Sequence, residues 1–240
     1  MLAGNETRRA AAYILIAGGC MAAFSVSLPP YADPSTGIGF IDALQGDLPL
    51  YAKRFALSLV LLGLIPIASA PFIVKGARIG DWFKPRAGFM RSPLFLTSLP
   101  LGLLAGFIGA SSPDLAAYYP YSQTLAGLAA SNPAYAALHA SLYVACYYLP
   151  WELFFRGYLL LLPLPIMEKG LPLWIAVFAQ AIPSAFLHIG HPASEMIAAL
   201  PAGIVFGYFA YASRSIIPPL VLHALIGVST DLFIIYGVGR

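Results

Sequence analysis

Runs of apolar residues, separated by short clusters of charge, proline and glycine, repeat along the chain. Seven of them reach or approach the length of about 20 residues that lets a helix cross a bilayer. They are Ala10 to Leu28, Phe55 to Val74, Ser92 to Ala110, Tyr135 to Leu162, Leu171 to His188, Met196 to Ser213 and Ile216 to Tyr236. The fourth is oversized and carries Pro150 in its middle, so a kink or a break is expected there. Boundary uncertainty leaves between six and eight spans. There is no internal repeat and no low-complexity linker. The pattern therefore predicts an all-α polytopic transmembrane bundle, one membrane domain over 1–240. Its first three spans and their loops occupy 1–134 and its last four spans 135–236.

Composition strengthens this reading. Of the 240 residues, 60% are hydrophobic and only 10% charged, whereas a soluble domain carries about a quarter charged residues. The net charge of +3 is small and unevenly placed, which fits membrane orientation and not nucleic-acid binding. Cys20 and Cys146 both lie in apolar runs, without metal-ligand spacing, and read as small core residues. The run after Arg8 and Arg9 imitates a signal peptide, but further spans follow and it reads as a retained anchor.

Lys and Arg then orient the chain. With seven spans, one side holds Arg8, Arg9, Lys75, Arg78, Lys84, Arg86, Arg91, Lys169 and Arg214, and the other Lys53, Arg54 and Arg240. Nine against three, with Arg156 set apart as intramembrane, places the N-terminus in the cytoplasm of a cell-membrane protein. The segment Ser111 to Pro133, with Tyr118, Tyr119 and Tyr121, is mildly apolar and is expected along the interface.

Against this background, polar residues inside the spans stand out. Glu152 and Arg156 sit four apart in Trp151-Glu152-Leu153-Phe154-Phe155-Arg156-Gly157, on one helix face, where they can neutralise each other. A structural ion pair is the plain reading. However, His188 closes the fifth span, Glu195 opens the sixth, and His223 and Asp231 lie on the seventh. At 1.5 Å per residue from a shared end, Glu152 stands at about 15 Å, His188 at about 25 Å, His223 at about 10 Å and Asp231 at about 22 Å. These depths overlap within the error of the boundaries, so a cluster is feasible. Each residue alone has an ordinary explanation: a bonded core histidine, a rim carboxylate, a loop position for His191. His139 reads as a rim residue of the fourth span. Ionisable groups on four consecutive spans point instead to shared chemistry.

Two chemistries suit a Glu with two His residues. Neutral imidazoles and a carboxylate can hold a metal that acidifies a bound water. Alternatively, Glu and His activate water directly while a second His stabilises the oxyanion. Neither His-Glu-x-x-His nor Gly-x-Ser-x-Gly occurs, so no soluble-type zinc site and no serine nucleophile elbow is indicated.

Glu-x-x-x-Arg-Gly on one span, a His closing the next in a Phe-Leu-His setting, and a His on the last span resemble the CPBP family. These are the CAAX proteases and bacteriocin-processing endopeptidases, including the type II CAAX prenyl endopeptidases. The resemblance covers roughly Tyr143 to Tyr236. It implies hydrolysis of a peptide bond in a membrane-embedded or membrane-anchored substrate, prenylated or carrying a leader. By resemblance, Glu152, Arg156, His188 and His223 fall on motif positions. The family's first motif Glu, usually the base, is Trp151 here; the Phe four before the second-motif His is Ser184; and the Asn four after the last His is Gly227. Glu152 or Glu195 is then expected as base with His188, Arg156 to fix Glu152, His223 to polarise the carbonyl, and Asp231 to replace the missing polar group. Family members are often labelled metalloproteases, yet the ligands would come from separate helices. A site with no cofactor is expected, with zinc as the second reading. Span counting puts the His188-to-Glu195 turn on the outer side. The rival functions are a catalytically silent membrane scaffold or immunity-type protein, motivated by Trp151 and Gly227, and a proton-coupled transporter.

Overall fold

A chain inside hydrocarbon has no water to satisfy its backbone, so it must bond to itself, and helices do this within each segment. The computed structural model describes residues 2–167 and 172–238 and contains no strand among them. Seven helical segments form the bundle. They are α1 (Leu2–Val26), α2 (Leu48–Ile73), α3 (Pro93–Ala110), α4 (133–161), α5 (Leu173–Phe186), α6 (Ala193–Ser213) and α7 (Ile217–Ile235). Five of them, α1, α2, α3, α6 and α7, contain stretches long and apolar enough to cross a membrane. The chain is a multi-pass membrane protein. Lys169 and Arg240, which entered the charge asymmetry, lie outside the described residues, as does Leu171 at the expected start of the fifth span.

α4 is the central rod. Every residue from Leu153 to Leu161 is buried, with α2, α5, α6 and α7 packed around it and Tyr13 and Phe24 of α1 against Tyr158 and Trp151. Sequence led us to expect a kink or break at Pro150, but the rod continues through it. Pro150 has no N–H, and the ladder adapts with π turns on either side, Val144–Tyr148 and Leu153–Leu161. The Leu149 N–H reaches back five residues to the Val144 carbonyl. Such π turns take up a local mismatch without ending the helix.

Two starts differ from expectation. α1 begins at Leu2, ahead of Ala10, and α2 at Leu48, ahead of Phe55, so Lys53 and Arg54 lie within a helix. An aromatic cover makes this tolerable for Arg54, whose guanidinium sits 3.6 Å above the Tyr121 ring.

Close helix contact comes from small residues. On α3, a Cβ at Gly102 would stand 2.6 Å from Leu222 Cδ1, and one at Gly106 3.0 Å from the Ile226 carbonyl. This small-x-x-x-small seam lets α3 and α7 touch backbone to backbone, and the Thr230 hydroxyl donates across it to the Gly106 carbonyl.

The basic segment between α2 and α3 plugs one end of the bundle. Buried Trp82 lies over Gly157, where a Cβ would come within 2.7 Å of its ring. The Trp82 carbonyl accepts from Ser215 Oγ and the Ile216 N–H. At the opposite end, the segment 111–133 does more than line an interface. Its short helices Pro113–Tyr118 and Gln123–Ser131 fold back over the bundle. Asp47 accepts there from Ser122 Oγ at 2.7 Å and from the Gln123 N–H at 2.6 Å.

Candidate functional site

Helix register on α4 and α7 builds the deepest part of the site. Tyr148, Glu152 and Arg156 recur every four residues on one face of α4, and His223, Gly227 and Asp231 do the same on antiparallel α7. Glu152 meets His223, with Oε1 2.7 Å from Nδ1. Arg156 stands on the other side of the same carboxylate, Nε 3.3 Å from Oε2. Both Glu152 and Arg156 are fully buried, whereas the His223 side chain keeps 20% exposure. Phe206 of α6 packs on both, 5.2 Å from the His223 ring centre and 5.3 Å from the guanidinium carbon. The expected Glu152–Arg156 pair is therefore present, but it carries a histidine as well.

A second group sits nearer the end capped by 111–133. α5 ends at Phe186, and the turn after it presents His188 and His191 to Glu195 in the first turn of α6. His188 Nδ1 donates to the Ser184 carbonyl at 2.8 Å, which turns Nε2 toward Glu195 Oε1 at 3.7 Å. His191 Nδ1 is 3.2 Å from the same oxygen, and the Tyr119 hydroxyl donates to it at 2.8 Å. Tyr118 lies 5.1 Å from the His191 ring. Glu195 thus holds one engaged oxygen, and its Oε2 meets no hydrogen-bond partner among the described residues.

Trp151 and Glu152, neighbours in sequence, link the two groups. The Trp151 ring meets the His188 ring edge-on at 5.4 Å, while Glu152 faces His223. The Trp151 side chain is 3% exposed and packed by Tyr147, Phe155 and Phe24. Position 151 therefore offers His188 an aromatic wall, and the carboxylate that faces this histidine comes from α6.

Asp231 departs from expectation. The residue expected to supply a polar group beside His223 is held by His139, Oδ2 to Nε2 at 2.8 Å, and His139 Nδ1 pairs with the Tyr51 hydroxyl at 2.8 Å. Two helical turns, about 12 Å along the axis, separate Asp231 from His223. His139 is accordingly a buried partner of Asp231. Nothing in its local sequence marked a partner ninety-two positions away.

Sequence reasoning missed three contributors: Tyr148, Tyr119 and His191 as a partner of Glu195. Tyr148 had a usable signal, since it lies one turn before Glu152. Its ring centre is 4.5 Å from that of His223. The other two depend on a long-range fold-back that no local pattern reveals.

The zinc reading requires three donors around one point. Among the described residues, no three His, Cys, Asp or Glu side chains are disposed to share a metal ion, and the His223 nitrogen nearest Glu152 is taken up by a hydrogen bond. The donor set does not fit a zinc site.

Fold and site define a polytopic membrane protein with a polar centre among its last four spans. Residues 133–229 match the family model described as Type II CAAX prenyl endopeptidase Rce1-like, so this stretch is similar to an Rce1-like domain. The match takes in His139, Glu152, Arg156, His188, Glu195 and His223, and stops before Asp231. It begins ten residues before the expected stretch and ends seven before it. At the level of the family, it supports an intramembrane endopeptidase. Neither the curated proteins nor the solved structures compared with the chain give a match.

Proposed function

We propose that this protein is an intramembrane endopeptidase in which His188 and Glu195 activate water and the Glu152–His223 pair serves the scissile carbonyl. The observation that carries the reading is the pairing of each histidine with its own carboxylate on either side of Trp151–Glu152. A neutral His188 that gives its Nδ1 proton to Ser184 has a lone pair on Nε2. Nε2 and Glu195 Oε1, 3.7 Å apart, can each accept from one water, which leaves the water oxygen free to attack. As the C–O bond forms, the water proton passes to this pair and the carbonyl π electrons move onto oxygen. Collapse breaks the C–N bond, and the same proton goes to the leaving amine. Glu152 fixes the His223 ring by its Nδ1 edge and directs Nε2 at the substrate. Arg156 positions Glu152. No metal takes part in this scheme.

The substrate is a membrane-embedded or membrane-anchored peptide, and the family description favours a prenylated one. Purified protein in detergent should cleave a quenched fluorescent farnesylated Cys-a-a-X peptide. His188→Ala and Glu152→Gln should lose that cleavage, and equal rates in all three would refute the proposal. A silent scaffold is the second reading, favoured by the aromatic wall at position 151. Appearance of hydrolysis only on Trp151→Glu would establish it. We further propose a cytoplasmic N-terminus and a site that opens on the opposite face. Its mark is labelling of a cysteine at His191 by an impermeant thiol reagent in intact cells; labelling only after permeabilisation reverses the orientation.

A further inference from the structure

A glycine in the middle of a helix weakens it by about 1 kcal/mol relative to alanine, so Gly227, within α7, calls for a reason. The reason is Tyr148. A Cβ at position 227 would lie 2.5 Å from Tyr148 Cζ and closer still to the hydroxyl. The phenol of α4 therefore occupies the space that a side chain on α7 would fill, one turn beyond His223. Its ring packs against the His223 ring at 4.5 Å with a 49° tilt. The Tyr148 side chain is 5% exposed, so its hydroxyl works in a shielded setting, where a hydrogen bond to developing charge is strong.

The chemistry of His223 leaves room for a second donor. With Nδ1 engaged by Glu152, the ring offers the carbonyl its Nε2 alone, and it donates from there only when that nitrogen carries a proton. A phenol is a donor at any pH near neutrality, with a pKa of about 10 when unperturbed, and it needs no change in the charge of His223 to act.

We propose that the Tyr148 hydroxyl is a catalytic hydrogen-bond donor to the carbonyl oxygen of the scissile bond, standing where α7 presents no side chain of its own. The role rests on the endopeptidase reading given above. No proton is transferred: the hydroxyl keeps its hydrogen and shares it with the oxygen as charge builds in the tetrahedral intermediate, then releases it when the C–N bond breaks.

The test is steady-state cleavage of the farnesylated peptide by the full-length protein in detergent. Tyr148→Phe keeps the ring that packs on His223 and Gly227 and removes only the donor. Its kcat should fall about 100- to 1,000-fold, the usual loss for one oxyanion donor, with KM within about twofold. Moving the donor to the other helix, as Tyr148→Ala with Gly227→Asn, should recover at least about tenfold over Tyr148→Ala alone. A Tyr148→Phe kcat within about threefold of the parent, or a loss confined to KM, overturns the role. Should Tyr148→Phe fail to fold, the paired variant decides: recovery supports the role and its absence overturns it. A folded parent protein without cleavage removes the endopeptidase reading and this role together. A parent that cleaves, with inactive His223→Ala and fully active Tyr148→Phe, removes the role of Tyr148 alone.

Discussion

Two histidine–carboxylate pairs in one bundle are built in opposite ways. Glu152 is sealed on the central rod, with Arg156 on one oxygen and His223 on the other. Glu195 sits in the first turn of α6, partly exposed, with three partners crowded on one oxygen and the second oxygen without a partner. Depth explains the difference. A carboxylate in a dry interior must be neutralised on every side, because an uncompensated buried ion costs several kcal/mol. Near the end of the bundle, the same group can keep a looser contact, Glu195 Oε1 to His188 Nε2 at 3.7 Å, which a water can bridge. In the proposed mechanism the inner pair orients His223 toward the carbonyl and the outer pair exchanges a proton with water.

The sharpest way to break this contrast is to remove Arg156. Arg156→Leu leaves Glu152 with only His223, and stability should fall by about 3–5 kcal/mol, read from unfolding in detergent, with cleavage lost as well. Glu195→Gln should change stability by less than about 1 kcal/mol, as expected for a partly exposed group, yet lower kcat by about 100- to 10,000-fold. Equal destabilisation by the two would erase the distinction. A third buried pair provides a control. Asp231→Ala strips His139 of its partner and should cost about 3–5 kcal/mol, while kcat per folded molecule stays within about tenfold; a larger loss of kcat would return Asp231 to the chemistry.

Smaller effects are expected at the packing and loop level. Gly227→Ala forces the Tyr148 phenol aside, and overpacking of this kind costs about 1–3 kcal/mol. Asp47 lies outside the spans. Burial raises its carboxyl, but hydrogen bonds from Ser122, Thr124 and Gln123 outweigh it, and the net shift is downward. Its contribution is present above the ordinary carboxylate range and fades as pH falls through the lowered folded value. Asp47→Ala should cost about 1 kcal/mol at neutral pH, and the difference between parent and variant unfolding should narrow in acid. A constant difference across pH would contradict this.

The spans were legible because hydrocarbon imposes a length and forbids charge, and α3, α4, α6 and α7 fall within a few residues of their expected bounds. The early starts of α1 and α2 were not, because Arg8, Arg9, Lys53 and Arg54 look like loop residues until Tyr121 is seen covering Arg54. Within the site, Glu152 with Arg156 was readable from the i, i+4 spacing, and the exchange of Trp151 for a carboxylate directed attention to Glu195. Pairing was not readable. Nothing local says that His223 takes Glu152, that Asp231 takes His139, or that Tyr119 returns to Glu195, since those contacts join residues 71, 92 and 76 positions apart. Antiparallel register between α4 and α7 sets the first two, and the fold-back of 111–133 sets the third.

The central claim is that Glu195 stands in for a carboxylate at position 151, and one measurement addresses it most directly. Cleavage of the farnesylated peptide is followed for the parent protein, Glu195→Gln, and Glu195→Gln combined with Trp151→Glu. The account predicts that Glu195→Gln loses at least about 100-fold in kcat and that the second substitution restores part of it, by placing a carboxylate where Trp151 now meets His188. Parental activity in Glu195→Gln would contradict it.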